Sequence, residues 1–243
     1  AEAPAPRDFL AALAAAPTRP ALIAEVKRAS PSRGVLRADL DPPELARAYH
    51  QAGAAAVSVL TEPRHFHGSL DDLRAVRQAV PLPVLRKDFL LDEYMVWEAR
   101  AAGADAVLLI VAAVHVAVLA RMHQVALELG MTPLVEIHEA EEWEVARHLG
   151  PRLVGVNNRN LKTLAIDRET APRLRPRIPA GIVTVAESGL ETPADVARAR
   201  AAGYDAVLVG TALVAERVGE RYDPVARVRE RVGEEAPREG GGA

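Results

Sequence analysis

Cysteine is missing from this chain of 243 residues. Its absence excludes a thiol nucleophile, a disulfide framework, iron–sulfur ligation and any zinc site built on cysteine. A chain of this length buries about 70–75% of its unfolded surface and needs no such crosslink to hold a core. The chemistry of this protein therefore has to come from oxygen and nitrogen groups.

The chain also lacks a strong net charge and a long apolar run. Its formal net charge is −3 and no basic stripe marks a nucleic-acid surface. No uninterrupted apolar stretch reaches the roughly 18 residues of a membrane span, and no signal-peptide pattern opens the sequence. With 49% hydrophobic residues, the composition predicts a globular, cytoplasmic enzyme or binding protein with no nucleic-acid or membrane partner.

Lysine is scarce as well. Of 30 basic residues only Lys27, Lys87 and Lys162 are lysine, which leaves 27 arginines. Arginine meets ordinary needs for positive charge, whereas lysine can lose its proton once it is desolvated. Lys162 lies in a polar stretch and is expected to be a solvated charge, so the other two lysines become candidates for chemistry.

What the sequence does contain is a repeat of short apolar segments and alanine-rich segments with helical spacing. Continuous apolar runs indicate strands that are buried on both faces, hence parallel strands. Three helical segments are followed by a glycine, at 53, 103 or 203, as expected for the residue after a helix end. The eight predicted strands are 21–26, 55–60, 83–86, 105–110, 133–137, 152–157, 181–186 and 205–209.

The ends of these strands are 20 to 34 residues apart, which suits one strand and one helix each. Eight such units predict a single α/β domain, a (β/α)8 TIM barrel, which typically has about 250 residues. An open doubly wound sheet is the weaker alternative because no Gly-x-Gly-x-x-Gly turn occurs. We expect a short N-terminal extension over 1–20, the barrel over 21–232 and a disordered tail over 233–243.

Polar side chains cluster where the predicted strands end, and in a barrel these ends form the face that carries active sites. Glu25 and Lys27 point the same way along the first strand, and Lys87, Glu136 and Glu187 follow three other strands. The sequence thus predicts two ammonium groups among three carboxylates at one mouth. Salt bridges that merely close the rim remain an equal alternative for any single pair.

Two short polar segments point to phosphate. Ser188-Gly189 follows the seventh predicted strand and Gly210-Thr211 follows the eighth. In barrels these two loops often bind phosphate through backbone N–H groups and the start of a short helix. Either dipeptide alone is a common turn or cap, but their joint placement indicates a phosphorylated small molecule as ligand.

Several other residues are assigned structural roles. His65 and His67 have a spacing that a metal could use, but no third ligand is evident nearby, so no metal site is predicted. His138 lies past the end of the strand that carries Glu136 and is assigned to a helix cap. Trp97 and Trp143 lie in helical segments and are assigned to packing.

Five segments resemble the signature segments of indole-3-glycerol-phosphate synthase, in that family's order, within a similarity from about Asp8 to Glu216. They are IAEVKRASPS at 23–32, LRKDF at 85–89, LVE at 134–136, VNNRNL at 156–161 and AESG at 186–189. The resemblance implies a (β/α)8 lyase of tryptophan biosynthesis. Members of the family close and decarboxylate 1-(2-carboxyphenylamino)-1-deoxyribulose 5-phosphate to indole-3-glycerol phosphate, releasing CO₂ and water without metal or organic cofactor.

The resemblance also implies a role for each candidate residue. Lys87 matches the family's acid for ring closure and Glu136 its base for dehydration, while Lys27 resembles a residue that binds the substrate anion. Glu25 and Glu187 would orient the ammonium groups and bind substrate hydroxyls. The implied substrate contacts are Ser30, Phe89, Asn157, Arg159 and Leu161, and the implied phosphate contacts are Ser188, Gly189, Gly210 and Thr211.

Three features depart from the family pattern. Only about twenty residues precede Ala21, where the family usually has a longer segment with a helix that leans over the active site. Phe66-His67-Gly68-Ser69 replaces the frequent Phe-Phe-x-Gly-Ser, and Thr211 replaces a common serine while keeping a hydroxyl. The first departure predicts a change in closure over the site rather than in the reaction.

Two other functions remain open. A phosphosugar isomerase or a Schiff-base aldolase on a similar barrel would also use phosphate and a strand-end lysine, and the aldolase would be trapped by borohydride. A non-catalytic barrel that binds a phosphorylated ligand would keep the glycines but would not need Lys87 and Glu136 together. In each case we expect a monomer or a weak homodimer.

Overall fold

The protein is described here by a computed structural model that covers residues 3–215 and 222–232. Eight parallel strands pair in sequence order and the eighth pairs with the first, which closes a barrel and confirms the predicted (β/α)8 fold. The strands are β1 Ala21–Val26, β2 Ala56–Leu60, β3 Val84–Lys87, β4 Ala106–Ile110, β5 Thr132–Ile137, β6 Leu153–Asn157, β7 Val183–Glu187 and β8 Ala206–Val209. The predicted tail, 233–243, lies outside the described residues.

Helices precede and connect the strands. Five of them begin at a side-chain cap that accepts a backbone N–H of the first turn and is an Asp, Ser or Thr: Asp8, Asp41, Ser69, Asp92 and Thr192. The predicted glycine exits at 53, 103 and 203 have φ of +89°, +93° and +86°. The helices are α1 Phe9–Ala14, α2 Pro42–Gln51, α3 Leu70–Ala79, α4 Glu93–Ala101, α5 Val116–Glu128, α6 Ala140–Ala146, α7 Thr170–Leu174, α8 Pro193–Ala201, α9 Thr211–Val214 and α10 Pro224–Val232.

A small antiparallel ribbon follows β1 and was not expected from the sequence. Residues Ala29–Ser30 pair with Gly34–Val35. Strands of two residues are too short for an alternating pattern, which is why the sequence gives no sign of them. The turn of this ribbon, with Pro31, Ser32 and Arg33, overhangs the carboxyl end of the barrel and lines the cavity there.

The barrel encloses its own apolar core, separate from the layer between strands and helices. At the amino-terminal end of the strands, Phe9 and Leu13 of α1 are buried in this inner core against residues such as Ala21 and Ile23. The guanidinium of Arg7 fixes the segment by donating to the carbonyls of residues 80 and 82 at 2.8 and 2.6 Å. The helix α1 thus closes the end of the barrel opposite to the strand ends that carry the polar side chains.

The outer surface corrects one sequence assignment and agrees with another. Trp143 is buried, but the packing role assigned to Trp97 is wrong, because the side chain is 49% exposed on α4. An apolar residue in a helix faces solvent whenever its position falls off the buried stripe, and α4 buries Val96 and Ala99 instead. Lys162 is exposed, as the sequence predicts.

Within the described ranges, no helix has the length and apolar character that crossing a membrane requires.

Candidate active site

Four side chains form one layer inside the carboxyl end of the barrel: Glu25 on β1, Lys87 on β3, Glu136 on β5 and Glu187 on β7. Inward-facing residues of alternate strands share a layer in this fold because the strands are staggered as the sheet closes. The layers beneath are apolar and include Leu85, Leu108 and Leu134. Three carboxyl groups, each at most 3% exposed, are therefore placed around one lysine on an apolar floor.

The contacts in this layer pair each lysine with carboxylate. The Nζ of Lys87 lies 3.0 Å from Oε2 of Glu187 and 3.6 Å from Oε2 of Glu136. Lys27 follows two residues after Glu25, just past the end of β1, and its Nζ lies 2.6 Å from Oε1 of Glu25. The two ammonium groups are thus each held by a buried carboxylate at the floor or wall of the cavity.

Burial and charge oppose each other at these groups. Burial by itself lowers the pKa of Lys87, but Glu187, Glu136 and Glu25 outweigh it and hold that pKa well above its ordinary value. Burial raises the pKa of Glu187, and the charge of Glu136 adds to that rise against the opposing charge of Lys87, to about 7. For Glu136, burial is outweighed by Lys87 and His138, so its pKa falls to about 2. At neutral pH the lysine is an ammonium and Glu136 a carboxylate.

Two glycines make room for the buried carboxylates. A Cβ on Gly155 of β6 would lie 2.1 Å from Oε1 of Glu187. A Cβ on Gly210, just after β8, would lie 2.1 Å from Oε1 and 3.1 Å from Cβ of Glu25. Real Cβ atoms do not approach this closely, so the absence of a side chain at both positions allows the two carboxylates to reach the site.

We expect Gly155→Ala to lower stability through this contact. The methyl group displaces the carboxylate of Glu187 and also crowds Leu134, a cost of about 1–3 kcal/mol for overpacking. In a protein that already carries Glu187→Ala, Gly155→Ala should lower the free energy of unfolding by less, because the carboxylate that the methyl group would contact is no longer there. A double-mutant cycle on the free energy of unfolding, measured with denaturant, gives the coupling. Equal costs in both backgrounds would contradict the assignment of the glycine to this role.

The cavity above the layer encloses about 200 Å³ and opens at the mouth of the barrel. Its lining combines polar groups with apolar side chains, among them Phe89, which is 39% exposed. Among the described residues no group of three histidine, aspartate or glutamate side chains could hold a metal ion. The lining includes Ser30, Phe89, Leu161, Arg159, Lys27 and Glu62 in addition to the four residues of the inner layer.

Backbone geometry shapes the rim next to β7 and β8. Ser188 and Gly189 both adopt positive φ, +63° and +72°, and such a conformation is costly for serine. Two side chains hold the turn: the amide of Asn158 donates to the Ser188 carbonyl at 3.0 Å, and Arg168 donates to the Gly189 carbonyl at 2.9 Å. Both carbonyls are thus occupied by hydrogen bonds to protein side chains. The turn and Gly210-Thr211 line the same cavity.

Asn157 lies behind the cavity lining rather than in it. Its Oδ1 accepts the backbone N–H of Arg159 at 2.9 Å, and its side chain helps to lower the pKa of Glu136. Arg159 does line the cavity, and its guanidinium donates to the carbonyl of Leu164 at 2.8 Å. The structure therefore brings all other candidate site residues to one cavity and places Asn157 behind the lining, where it holds the backbone of Arg159.

The chain is similar in sequence to one family of known proteins over most of its length. A sequence model described as indole-3-glycerol phosphate synthase matches residues 1–221. The chain belongs to that family. The indole-3-glycerol phosphate synthase of Leifsonia xyli is 56% identical over 230 residues, which are 95% of this chain and 85% of that protein. The synthase of a Parafrankia strain is 57% identical over 211 residues, 87% of this chain and 78% of that protein.

Solved structures of low identity share the fold. The N-acetylmannosamine-6-phosphate 2-epimerase of Clostridium perfringens has a TM-score of 0.65 at 16% identity, over 84% of this chain and 90% of that one. The 3-hexulose-6-phosphate synthase of Salmonella typhimurium has a TM-score of 0.66 at 15% identity, over 88% and 97%. At such identities the likeness supports the barrel architecture and nothing about the reaction.

One residue of the synthase site was assigned wrongly from the sequence. The prediction that His138 serves as a helix cap is wrong, because Glu139 occupies the cap position of α6. The ring of His138 instead lies 3.2 Å from Glu136 and 3.1 Å from Glu142. The spacing Glu-x-His, which keeps both side chains on one face of an extended chain, was the available signal.

Gly155 is a residue of the site that the sequence analysis did not identify. A glycine inside an apolar strand indicates a close approach by another group, and the segment RLVGVN at 152–157 contains one. What approaches it, the carboxylate of Glu187 from β7, depends on the register between the two strands, in which Gly155 pairs with Val185.

Proposed function

We propose that this protein is an indole-3-glycerol-phosphate synthase that converts 1-(2-carboxyphenylamino)-1-deoxyribulose 5-phosphate to indole-3-glycerol phosphate, CO₂ and water. The observation that carries the proposal is the ammonium of Lys87, held between the buried carboxylates of Glu187 and Glu136 on the floor of a cavity that is lined in part by apolar side chains. Such a site supplies a proton donor and a proton acceptor a few ångström apart, as ring closure followed by dehydration requires.

The first step is ring closure. The ring carbon that bears the carboxylate attacks the ketone carbon, a carbon–carbon bond forms, and the ketone oxygen becomes an alkoxide. Lys87 gives it a proton. The raised pKa keeps this lysine fully protonated at neutral pH, and a strongly basic alkoxide can still accept its proton. The neighbouring carboxylates also stabilise the positive charge that the aniline nitrogen takes on as the ring carbon attacks.

The second half removes CO₂ and water. Cleavage of the bond to the carboxylate returns its electron pair to the ring and restores aromaticity. The hydroxyl then leaves as water with a proton from Lys27, while Glu136 takes the proton from the neighbouring carbon. Solvent returns one proton to Lys27, which is the proton that loss of a carboxylate as CO₂ consumes overall. The carboxylate of Glu136 is ionised, and the cations that contact its oxygens are Lys87 and His138. Because its Oε2 is 3.6 Å from Nζ of Lys87, the proton can return to the lysine after each turnover.

The remaining candidates bind and orient the substrate. Lys27, held by Glu25, faces the substrate anion, while Glu187 orients Lys87 and accepts from substrate hydroxyls. Arg159 binds the carboxylate or hydroxyls, and Asn157 holds both Arg159 and Glu136 in position. Ser30, Phe89 and Leu161 form the pocket for the anthranilate ring.

The phosphate cradle consists of Ser188, Gly189, Gly210 and Thr211. Backbone N–H groups at two turns and the threonine hydroxyl are suitable donors for phosphate oxygens. The rim placement of all four residues supports this assignment.

The alternatives fit the site less well. A Schiff-base aldolase needs a neutral lysine amine as nucleophile, and the raised pKa of Lys87 opposes this. A non-catalytic binder would gain nothing from three carboxylates that are almost fully removed from water, because burying them costs free energy.

The deciding experiment incubates the purified protein with the anthranilate substrate and follows indole absorbance and fluorescence together with CO₂. Stoichiometric release of both supports the synthase. Borohydride should not inactivate the protein in the presence of a phosphosugar ketone, whereas covalent trapping at Lys87 would favour the aldolase. Conversion of a phosphosugar without indole formation would favour the isomerase, and binding without turnover would favour the non-catalytic barrel.

We expect inorganic phosphate to inhibit competitively and Gly189→Ala to raise KM about tenfold, with kcat changed less. The added methyl group would lie 2.7 Å from Cγ2 of Ile166, and a positive φ is costly for alanine, so the turn shifts away from the phosphate. Gly181→Ala is the matched control, since that residue also has positive φ but meets no atom within 4 Å. An unchanged KM in Gly189→Ala would remove the cradle assignment.

We further propose that the enzyme works in the cytoplasm as a monomer or weak homodimer. The assigned residues that line the cavity all lie at the mouth of a single barrel. Light scattering across a range of protein concentrations, together with specific activity at the same concentrations, tests this proposal.

A further inference from the structure

A histidine lies directly behind the carboxylate proposed as the base of dehydration. His138 follows β5, and its side chain is 8% exposed. Its Nε2 is 3.2 Å from Oε1 of Glu136, and its Nδ1 is 3.1 Å from Oε2 of Glu142 on α6. The backbone N–H of His138 donates to the same oxygen of Glu142 at 2.5 Å, which fixes the start of the helix to the end of the strand.

The two ring contacts define the charge of this histidine. A neutral imidazole carries one N–H and can donate to one carboxylate only, and its other nitrogen would face the second carboxylate as a repelling lone pair. A doubly protonated ring turns an N–H and positive charge towards both: it is within hydrogen-bond distance of Glu142 and forms an ion pair with Glu136. Burial lowers the pKa of His138, but hydrogen bonds and charge from Glu136 and Glu142 raise it to about 10. The ring is therefore an imidazolium throughout the range in which the enzyme would be assayed.

We propose that His138 is a positioning residue which holds Glu136 ionised and correctly oriented for dehydration, with Glu142 as its anchor on α6. The proposal rests on the proposed function, since it assigns His138 to the base of that reaction. Oε1 of Glu136 is engaged by the imidazolium, so Oε2 is the oxygen left to face Lys87 and the cavity.

The groups around Glu136 explain why a second cation is needed. Lys87 on β3 faces it, Glu187 on β7 adds like charge, and the polar side chain of Asn157 on β6 helps to lower its pKa. Burial and Glu187 both favour a protonated Glu136, and a protonated carboxyl cannot act as a base. Once Lys87 has given its proton to the alkoxide, His138 is the cation that still contacts Glu136. It keeps the carboxylate ionised at the stage at which dehydration needs it.

The test compares His138→Gln with the parent in single-turnover reactions over a range of pH, starting from bound substrate so that free substrate does not contribute. Glutamine keeps a neutral N–H donor near the position of Nε2 but carries no charge. We expect the acid limb of indole formation to move up by about one pH unit or more, a tenfold loss at a pH on that limb. CO₂ release and KM should change by less than about threefold. His148→Gln, an exposed histidine just after α6, is the matched control.

Two further variants keep the result unambiguous. Glu142→Gln removes only the anchor and should shift the limb in the same direction by a smaller amount, which covers the case in which His138→Gln fails to fold. An unmoved acid limb in both variants, or equal slowing of CO₂ and indole, overturns the inference. Glu136→Gln, measured in parallel, tests the base itself: if it slows both signals equally, the proposed role of Glu136 fails first and separately.

Discussion

Lys87→Met is expected to abolish ring closure, with a loss in kcat of about 10²–10⁴-fold or more. The methionine side chain has similar length but no proton to give as the alkoxide develops, and it leaves Glu136 and Glu187 without the cation that contacts both. Substrate affinity should stay within an order of magnitude, because the proton is needed mainly in the transition state. Rapid-quench measurement of CO₂ and indole, with an independent binding titration, separates the two effects.

The conservative variant Lys87→Arg decides what kind of group is needed. Arginine keeps the positive charge beside the two carboxylates but has a pKa above about 12 and spreads its charge over a planar fork, so it is a poor proton donor. We expect it to fail almost as badly as methionine. Near-normal turnover in this variant would show that Lys87 acts as a fixed charge instead of an acid. Lys162→Met makes the same substitution at an exposed lysine and serves as the control for Lys87→Met.

Glu136→Gln should separate the two halves of the reaction. Glutamine keeps the shape and much of the hydrogen bonding of the side chain but cannot take up a proton at neutral pH. Ring closure and loss of CO₂, which depend on Lys87, should continue, whereas indole formation should fall by about 10²–10⁴-fold. In a single turnover CO₂ should therefore appear ahead of indole, and by more than in the parent.

The surface variant Glu144→Gln on α6, where the side chain is 58% exposed, controls for the chemistry of the substitution. Equal slowing of CO₂ and indole in Glu136→Gln would mean that this residue acts before decarboxylation or merely holds the site together. The assignment of the base would then have to be dropped, and with it the reason for the imidazolium behind it.

Local pattern was enough to predict the elements of this fold. A strand buried on both faces must be apolar throughout, and a helix that ends in a tight turn favours glycine, so eight apolar runs and three glycine exits predict strand–helix units. The observed bounds differ from the predicted ones by at most two residues. The scarcity of lysine likewise pointed to Lys27 and Lys87, because a residue type that the chain otherwise avoids needs a specific reason to be present.

The sequence alone determined which strands exist, which of their ends carry polar groups and which family they resemble. Only the closed barrel decided which of those groups meet. Glu25, Lys87, Glu136 and Glu187 come from strands far apart in sequence, and the stagger of the closed sheet brings them into one layer. The contact of His138 with Glu136 and the space that Gly155 leaves for Glu187 depend on side-chain direction and strand register. Those quantities are set by packing across the whole barrel, and no local stretch of sequence encodes them.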